Sequence, residues 1–251
     1  MPQLLGLADE FWLAAYDNTS DEPRIPSYAR GVGLATALIA ELIDARFVGL
    51  HAGELFRLTV VLPDDPALCA VVAAMAQEEQ TWPPPVPHAA PSKRGGDVPG
   101  RLAAALAPRH RQRGHDLAVW IDFLAYEKCA EDRVAERVVR TGRALLVERR
   151  RLFGTSKRIV PRDSVASGTP AFSINETVRR GLTHELTTAQ LVLVGLFVAT
   201  RLDQHALAPL RLREREALNR ELFRLQSSNQ TATELLKAAD IAVSSAAMTR
   251  R

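Results

Sequence analysis

Residues 126–161, YEKCAEDRVAERVVRTGRALLVERRRLFGTSKRIVP, combine a helix and a hairpin in one continuous stretch. The first part has apolar residues at helical spacing up to Gly142, and glycine commonly ends helices. Two short apolar runs follow, ALLVE at 144–148 and KRIVP at 157–161, and they flank the basic segment RRRLFGTS. The stretch therefore predicts a helix followed by a β-hairpin with a basic tip.

The same plan occurs earlier, in GVGLATALIAELIDARFVGLHAGELFRLTVV at residues 31–61. An apolar helix leads into the predicted strands FVGL (47–50) and LFRLTVV (55–61), with HAGE as the turn. Beyond Pro161 the pattern is again helical, and residues 186–202 are apolar on nearly all sides, which is typical of a central buried helix. The predicted fold is mainly α, a compact helical domain with a central buried helix and short peripheral β-hairpins.

A proline-rich segment separates the two helix-plus-hairpin units. Residues 80–116 hold seven of the fifteen prolines, which excludes long regular structure there apart from a short helix near 100–107. We expect a single domain over residues 1–251 with a flexible loop at about 80–116, most mobile at 83–99.

The composition is that of an ordinary globular protein. The chain has 251 residues, 47% hydrophobic and 24% charged, and a net charge of only +3, so attraction to phosphate must come from local clusters. Both cysteines lie in apolar helical patterns and are predicted to be reduced, buried thiols. The N-terminus lacks a secretory pattern, and the longest apolar runs are too short to span a membrane. These features favour a cytoplasmic protein.

Motifs for catalysis are absent from the sequence. It contains no HExxH zinc motif, no phosphate-binding GxxxxGK[ST] loop, no GxSxG elbow and no dinucleotide-binding glycine fingerprint. The six histidines are scattered, and the carboxylates between Asp122 and Glu136 fit a solvated helix face better than an acid–base pair. We therefore expect no enzymatic activity, no metal and no cofactor.

Basic residues concentrate in the second hairpin rather than on a helix. A winged-helix DNA-binding protein would need a basic or amide-rich recognition helix, but the helix before each hairpin is apolar or acidic, so no nucleic acid is expected. A basic tip that also carries apolar side chains suits an anionic membrane or self-association through residues 144–161. The residues assigned to this role are Arg149, Arg150, Arg151, Leu152, Phe153, Lys157 and Arg158, above alternate residues that could be buried, Leu145, Val147, Ile159 and Val160.

The second helix carries an apolar stripe and a pair of like charges. Tyr126, Ala130, Val134 and Val138 recur every four residues and are predicted to be buried. Arg133 and Arg137 are neighbours on the flank, and such a pair needs an anion nearby. The anion is either an internal carboxylate, such as Glu136 or Asp132, or a phosphorylated ligand.

Several segments together resemble one known family. They are GLATALIAELIDARFV at 33–48, LAVWIDFLAYEKCAEDRVAERVVRTG at 117–142, the basic hairpin, and LTTAQLVLVGLFVATRLDQHAL at 186–207. In order and spacing they are similar to the Golgi phosphoprotein 3 family, from about Leu4 to the end of the chain. The resemblance implies a helical domain without enzymatic activity, a pocket for phosphatidylinositol 4-phosphate at a membrane-facing surface, and a hairpin used for self-association. Arginine-rich usage and the absence of the eukaryotic leader favour a bacterial member.

The family's pocket residues can be placed on this sequence one by one. The tryptophan of the pocket matches Pro26, and the arginine of the small-residue helix matches Ala35. Of two basic positions on the later helix, Lys128 keeps the charge and Glu131 reverses it. The residues expected to bind a lipid headgroup are Lys128, Arg24, Arg30 and Arg133.

The resulting expectation is a cytoplasmic, non-enzymatic protein, peripheral to the membrane, whose partners are an anionic, phosphoinositide-like lipid and a second copy of itself. Two other classes remain as alternatives, a winged-helix-like DNA-binding regulator and a small-molecule enzyme. A gel shift would identify the first, and a deep pocket with convergent polar groups would indicate the second.

Overall fold

A computed structural model describes residues 6–17, 20, 22–82, 114–126, 129–151 and 154–249. Its helices are α1 (Leu7–Ala14), α2 (Ser27–Asp44), α3 (Pro66–Thr81), α4 (Leu117–Tyr126), α5 (Cys129–Arg140), α6 (Ser164–Arg179), α7 (Thr188–Ala199), α8 (Asp203–Ala206), α9 (Leu212–Ser228) and α10 (Gln230–Thr249), with a 3-10 turn at Thr183–Glu185. The strands are β1 (Val48–His51), β2 (Glu54–Arg57), β3 (His115–Asp116), β4 (Ala144–Arg151) and β5 (Gly154–Pro161). The mainly α prediction is confirmed.

Two apolar helices form the centre of the molecule. Every residue from 191 to 197 of α7 is buried, which confirms the predicted central helix. Helix α2 packs against α1, α3, α4, α5, α7 and α10. Its close approach to α1 depends on Gly33, because a Cβ there would overlap the Phe11 ring. Among the described residues, no helix is both long and apolar enough to cross a membrane.

The first hairpin is shorter than predicted. Strands β1 and β2 pair from Val48↔Arg57 to His51↔Glu54, and Ala52 (φ 52°) with Gly53 (φ 77°) forms the left-handed turn. The predicted strand at 55–61 is wrong beyond Arg57, because β1 offers no further residues to pair with. The residues that follow are instead exposed, as at Val60, which is 85% accessible.

The second hairpin is longer than predicted. Its ladder runs from Ala144↔Pro161 to Arg151↔Gly154, so only residues 152–153 connect the strands. Burial is confined mainly to β5 near the base: Val160 is buried, but its partner Leu145 is 49% exposed. Leu145 was therefore predicted wrongly as a buried residue, while Val147 and Ile159 are half-buried.

The helix predicted between Tyr126 and Gly142 corresponds to α5. Helix α5 covers Cys129–Arg140, and Tyr126 is the last residue of α4. Ala130, Val134 and Val138 are fully buried as predicted, but Tyr126 is 47% exposed. The prediction that Tyr126 belongs to the buried stripe is therefore wrong.

Arg137 is the centre of a buried ion network. Its Nε donates to Asp9 Oδ1 (2.6 Å), and its two terminal nitrogens donate to Glu41 (2.8 and 3.0 Å). The anion that offsets this arginine is therefore an internal carboxylate, as one alternative held, but it comes from α1 and α2. The prediction of Glu136 or Asp132 is wrong, since both are exposed.

The two ends of the proline-rich segment meet at His115. Its ring nitrogens lie 3.0 Å from Glu78 Oε2 and 3.2 Å from Glu79 Oε1. The Trp82 ring lies 4.7 Å from the imidazole, centroid to centroid, and Trp120 Nε1 donates to Glu78 Oε2 (3.0 Å). We call these five residues the His115 cluster.

Because α3 extends to Thr81 and β3 begins at residue 115, the predicted loop bounds of 80–116 are too wide. The predicted short helix near 100–107 and the expected mobility at 83–99 lie outside the described residues. Cys69 on α3 is a free, half-buried thiol.

Candidate functional site

Three of the predicted arginines lie on or beside the segment that joins α1 to α2. The loop in this segment is closed by the Tyr16↔Pro23 bridge and by hydrogen bonds from Asp17 N to Glu22 O and from Arg24 N to Ala15 O (both 2.8 Å). This loop brings Arg24 next to the start of α2, which carries Arg30. Strand β5 runs beside the same loop and adds Arg158. We call Arg24, Arg30 and Arg158 the arginine cluster.

Arg30 is the buried member of the arginine cluster. It is 7% exposed, and its Nε and Nη2 donate to Glu131 Oε1 at 3.0 and 2.8 Å. Its Nη1 donates to the Ile25 carbonyl (3.3 Å), and the guanidinium lies 5.7 Å from the Tyr16 ring centroid. The carboxylate of Glu131, which reverses the charge at a family pocket position, thus holds Arg30 in place.

Arg158 is more accessible than Arg30. It makes a two-pronged contact with Glu22, from Nη1 to Oε1 (2.7 Å) and from Nη2 to Oε2 (3.1 Å), and the Glu22 side chain is 58% exposed. An exposed pair of this kind contributes about 0–1 kcal/mol and is screened by salt. Arg158 can therefore exchange its partner at little cost.

Tyr16 lies among the charges of this cluster. Burial raises the pKa of its hydroxyl, the carboxylates of Glu131 and Glu22 add to that effect, and Arg30 and Arg158 oppose it. The pKa of this tyrosine therefore depends on both ion pairs, Arg30–Glu131 and Arg158–Glu22.

Arg24 is the member of the arginine cluster that also lines a cavity. Its side chain is 18% exposed and its Nη2 lies 3.7 Å from Asp17 Oδ2. It also lines a cavity of about 470 Å³ between α6 and the residues around α8. Arg24 therefore belongs both to the arginine cluster and to the lining of this cavity.

The other headgroup residues are not brought into this cluster. Lys128 lies outside the described residues. Arg133 is half-buried on α5, and within the described chain no hydrogen bond or ion pair joins it to Arg24, Arg30 or Arg158; its Nε is enclosed without a hydrogen-bond partner there. Ala35, the residue at the arginine position of the resemblance, is fully buried in the core.

The tip of the hairpin is only partly described. Leu152 and Phe153 lie outside the described residues, and so do the side chains of Arg149, Arg150 and Arg151 on β4. Lys157 is exposed and lies 3.4 Å from Glu148. Of the hairpin's predicted contact residues, Arg158 is thus the one that the structure connects to the body of the protein.

Sequence reasoning missed how Arg158 is used. It assigned Arg158 to the hairpin tip and did not assign Tyr16 or Glu22 to any site. No local pattern links residue 22 to residue 158, and only the folded chain brings them together. The described carboxylates between 122 and 136 do not converge either, because Glu131 pairs with Arg30, and Asp122, Asp132 and Glu136 are exposed. Among the described residues no group of three His, Cys, Asp or Glu could hold a metal.

Comparison with known proteins identifies the family of the chain. No curated protein matches the chain significantly. The family model described as Golgi phosphoprotein 3 (GPP34) matches residues 7–242, nearly the whole chain. The match includes both helix-plus-hairpin units, the loop that carries Arg24 and the central helix α7. The chain therefore belongs to the Golgi phosphoprotein 3 family.

Proposed function

We propose that this protein is a non-enzymatic peripheral membrane protein that binds anionic lipid through the arginine cluster. The observation that carries the proposal is that Arg30 and Arg158, which are far apart in sequence, both lie near Tyr16, beside the loop that carries Arg24. Family membership is consistent with a lipid-binding role without catalysis. We propose that the protein binds the cytoplasmic face of the membrane.

Binding proceeds by exchange of a carboxylate for a phosphate. The Arg158–Glu22 pair is exposed, and a lipid phosphate offers the same two-pronged geometry with more negative charge. Arg30 stays with Glu131, because breaking a largely buried pair by removing one partner costs about 3–5 kcal/mol. Arg158 and Arg24 are therefore the residues that contact the lipid, while Arg30 fixes the loop.

This arrangement predicts selection by charge more than by headgroup shape. Glu131 repels a phosphate where the family pattern has a basic residue, and the Ala35 position is closed. We propose that phosphatidylinositol 4-phosphate binds better than phosphatidylserine only to the extent that it carries more charge. Vesicles matched for total charge separate the two cases, since a headgroup-specific pocket would still prefer the phosphoinositide.

Vesicle co-sedimentation tests the proposal. Wild-type protein should sediment with phosphatidylserine vesicles at low salt, and the bound fraction should fall steeply as salt rises. The double variant Arg24→Gln, Arg158→Gln should bind roughly thirtyfold more weakly, since each basic residue near an anionic surface contributes about 1 kcal/mol.

The double variant Arg180→Gln, Arg224→Gln is the matched control. Arg180 and Arg224 also form ion pairs on exposed helix faces, with Glu176 and Glu221, so their loss removes the same charge from other surfaces. Equal sedimentation of the double variant and the control would contradict the proposal, as would wild-type protein that does not sediment with phosphatidylserine at low salt.

Self-association through residues 144–161 is a second proposed activity. Leu145 and Leu146 are 49% and 54% exposed, and β4 and β5 pair only with each other within the described chain. Exposed strand edges beside apolar side chains are surfaces on which another chain can add. The partner we propose is a second copy of this protein.

A further inference from the structure

The cavity beside the arginine cluster has apolar walls. It lies between α6 and the segment around α8 and measures about 470 Å³, within the range of ligand-binding clefts. Val165 and Phe172 line it from α6 and are 73% and 65% exposed, while Ala206 and Pro209 line the opposite side. Large apolar side chains exposed around a concave surface favour binding of an apolar group.

One buried polar atom in this cavity lacks a partner. Asn175 lines the cavity and is 5% exposed. Its Nδ2 donates to the Ala206 carbonyl (2.9 Å), which fixes the orientation of the amide. Its Oδ1 is then an acceptor that has no hydrogen-bond partner among the described residues. Most buried acceptors in folded proteins are satisfied, so this oxygen needs a donor that the described residues do not supply.

Arg24 connects the cavity to the arginine cluster, so that a cation, a hydrogen-bond acceptor and an apolar wall adjoin one another. Resting on the proposed function, we propose that the cavity binds a single-chain anionic lipid of the lysophospholipid class. Its phosphate contacts Arg24, and its acyl chain lies along Val165 and Phe172. Asn175 Oδ1 is enclosed in the cavity wall, so the free glycerol hydroxyl donates to it after a small movement of that wall. A lipid with both glycerol hydroxyls acylated lacks that donor, which is the reason for choosing this class.

Three soluble probes separate the parts of the ligand. Octanoyl lysophosphatidic acid, below its micelle concentration, has the phosphate, the hydroxyl and the chain. Octyl phosphate lacks the hydroxyl, and glycerol 3-phosphate lacks the chain. By titration calorimetry we expect the first to bind best, with octyl phosphate roughly tenfold weaker for the loss of one buried hydrogen bond. Glycerol 3-phosphate should be at least about tenfold weaker again without the apolar contact.

Gly168→Leu tests the cavity without disturbing the fold. Gly168 lines the cavity on α6, and a Cβ placed there has nothing within 4 Å. Leucine also favours a helix more than glycine does, so thermal stability should be kept or raised. The variant should bind octanoyl lysophosphatidic acid at least about tenfold more weakly, with glycerol 3-phosphate unaffected. Ser173→Leu, at an exposed position of the same helix outside the cavity lining, is the control and should bind as wild type does.

The outcomes distinguish this proposal from the proposed function. If vesicle binding depends on Arg24 and Arg158 but lysophosphatidic acid binds no better than glycerol 3-phosphate, the cavity proposal is wrong and the membrane function stands. If octyl phosphate binds as well as lysophosphatidic acid, Asn175 does not select a hydroxyl and the lipid class is wrong. If Gly168→Leu binds lysophosphatidic acid as well as Ser173→Leu does, the acyl chain lies outside this cavity and the proposal fails. Lysophosphatidic acid binding that is sensitive to Gly168→Leu, without arginine-dependent vesicle binding, would support the cavity and overturn the proposed function.

Discussion

Replacing Arg137 with methionine should remove a large part of the stability of the fold. The guanidinium makes three short hydrogen bonds to Asp9 and Glu41, and it is 6% exposed. Methionine fills similar space but leaves two carboxylates facing each other without a cation. Breaking a buried ion pair in this way costs about 3–5 kcal/mol. For a chain of this size that corresponds to a fall in melting temperature of about 6–20 °C.

The loss should depend on pH. Burial raises the pKa of Asp9, and Arg137 opposes that rise. A carboxyl whose pKa is higher in the folded than in the unfolded state contributes less stability as pH rises through that range. Without the guanidinium the pKa of Asp9 should rise further. The loss in free energy of unfolding caused by Arg137→Met should therefore be smaller at pH 5 than at pH 7.5, by at least about 1 kcal/mol.

Urea unfolding followed by circular dichroism at the two pH values measures both effects. Arg140→Met is the control on the same helix, since Arg140 is half-exposed and pairs only with Asp65 (3.2 Å) among the described residues; its loss should cost about 0–1 kcal/mol. If Arg137→Met cost no more than Arg140→Met at pH 7.5, or cost the same at both pH values, the network would not be a buried ion cluster that stabilises the fold.

Three further predictions concern other parts of the molecule. Gly33→Val should destabilise the fold by about 1–3 kcal/mol or more, because the added side chain overlaps the Phe11 ring, and thermal unfolding measures this. Leu145→Ser should reduce the mass measured by light scattering without lowering the melting temperature, because this exposed leucine lies at the proposed self-association surface. Glu79→Gln should cost about 2 kcal/mol at pH 7. Burial would raise the pKa of Glu79, but hydrogen bonds from Arg57 and His115 outweigh it and lower the pKa. The stability that Glu79 contributes is therefore lost as the pH falls below the pKa that Glu79 has in the unfolded state. The free energies of unfolding of the variant and of wild type should become similar in acid.

Each of these predictions has a control and a contradicting outcome. Gly168→Ala matches Gly33→Val at an open helical glycine and should stabilise the fold by up to about 1 kcal/mol; equal effects at both glycines would exclude close packing as the cause. For the hairpin, Val119→Ser removes another exposed apolar residue and should leave the mass unchanged. A mass equally insensitive to Leu145→Ser would argue against self-association there. A loss for Glu79→Gln that persists unchanged at pH 3 would show that the effect is not electrostatic.

The sequence predicts the helices and hairpins well because their patterns are local. The apolar run of α7 indicates a buried helix, and the glycine at residue 142 marks the end of one. Both signals depend only on residues that are near in sequence. The exposure of Tyr126 was missed because this residue fits the four-residue spacing of the buried stripe, although it belongs to α4. Strand ends were misplaced because a strand ends where its partner ends, as β2 does at Arg57.

The candidate site was predicted in part for the same physical reason. Arg24 and Arg30 are close in sequence, so both could be assigned to one surface. The roles of Glu131 and Arg158 depend on contacts across more than a hundred residues, namely Glu131 with Arg30 and Arg158 with Glu22. A charge reversal at Glu131 looks like a lost ligand contact in the sequence, whereas in the fold it is the partner of a buried arginine.

The His115 cluster makes the segment between Trp82 and His115 a natural place to enlarge the protein. Since the Trp82 and His115 rings lie 4.7 Å apart, centroid to centroid, the described chain leaves and re-enters the fold at nearly one point. Doubling the length of a connection between fixed ends adds only about 0.6 kcal/mol of closure entropy. We therefore expect that a reporter domain whose own termini lie close together can be inserted near residue 95 without separating Trp82 from His115. Such a fusion would let the proposed membrane recruitment be followed in living cells.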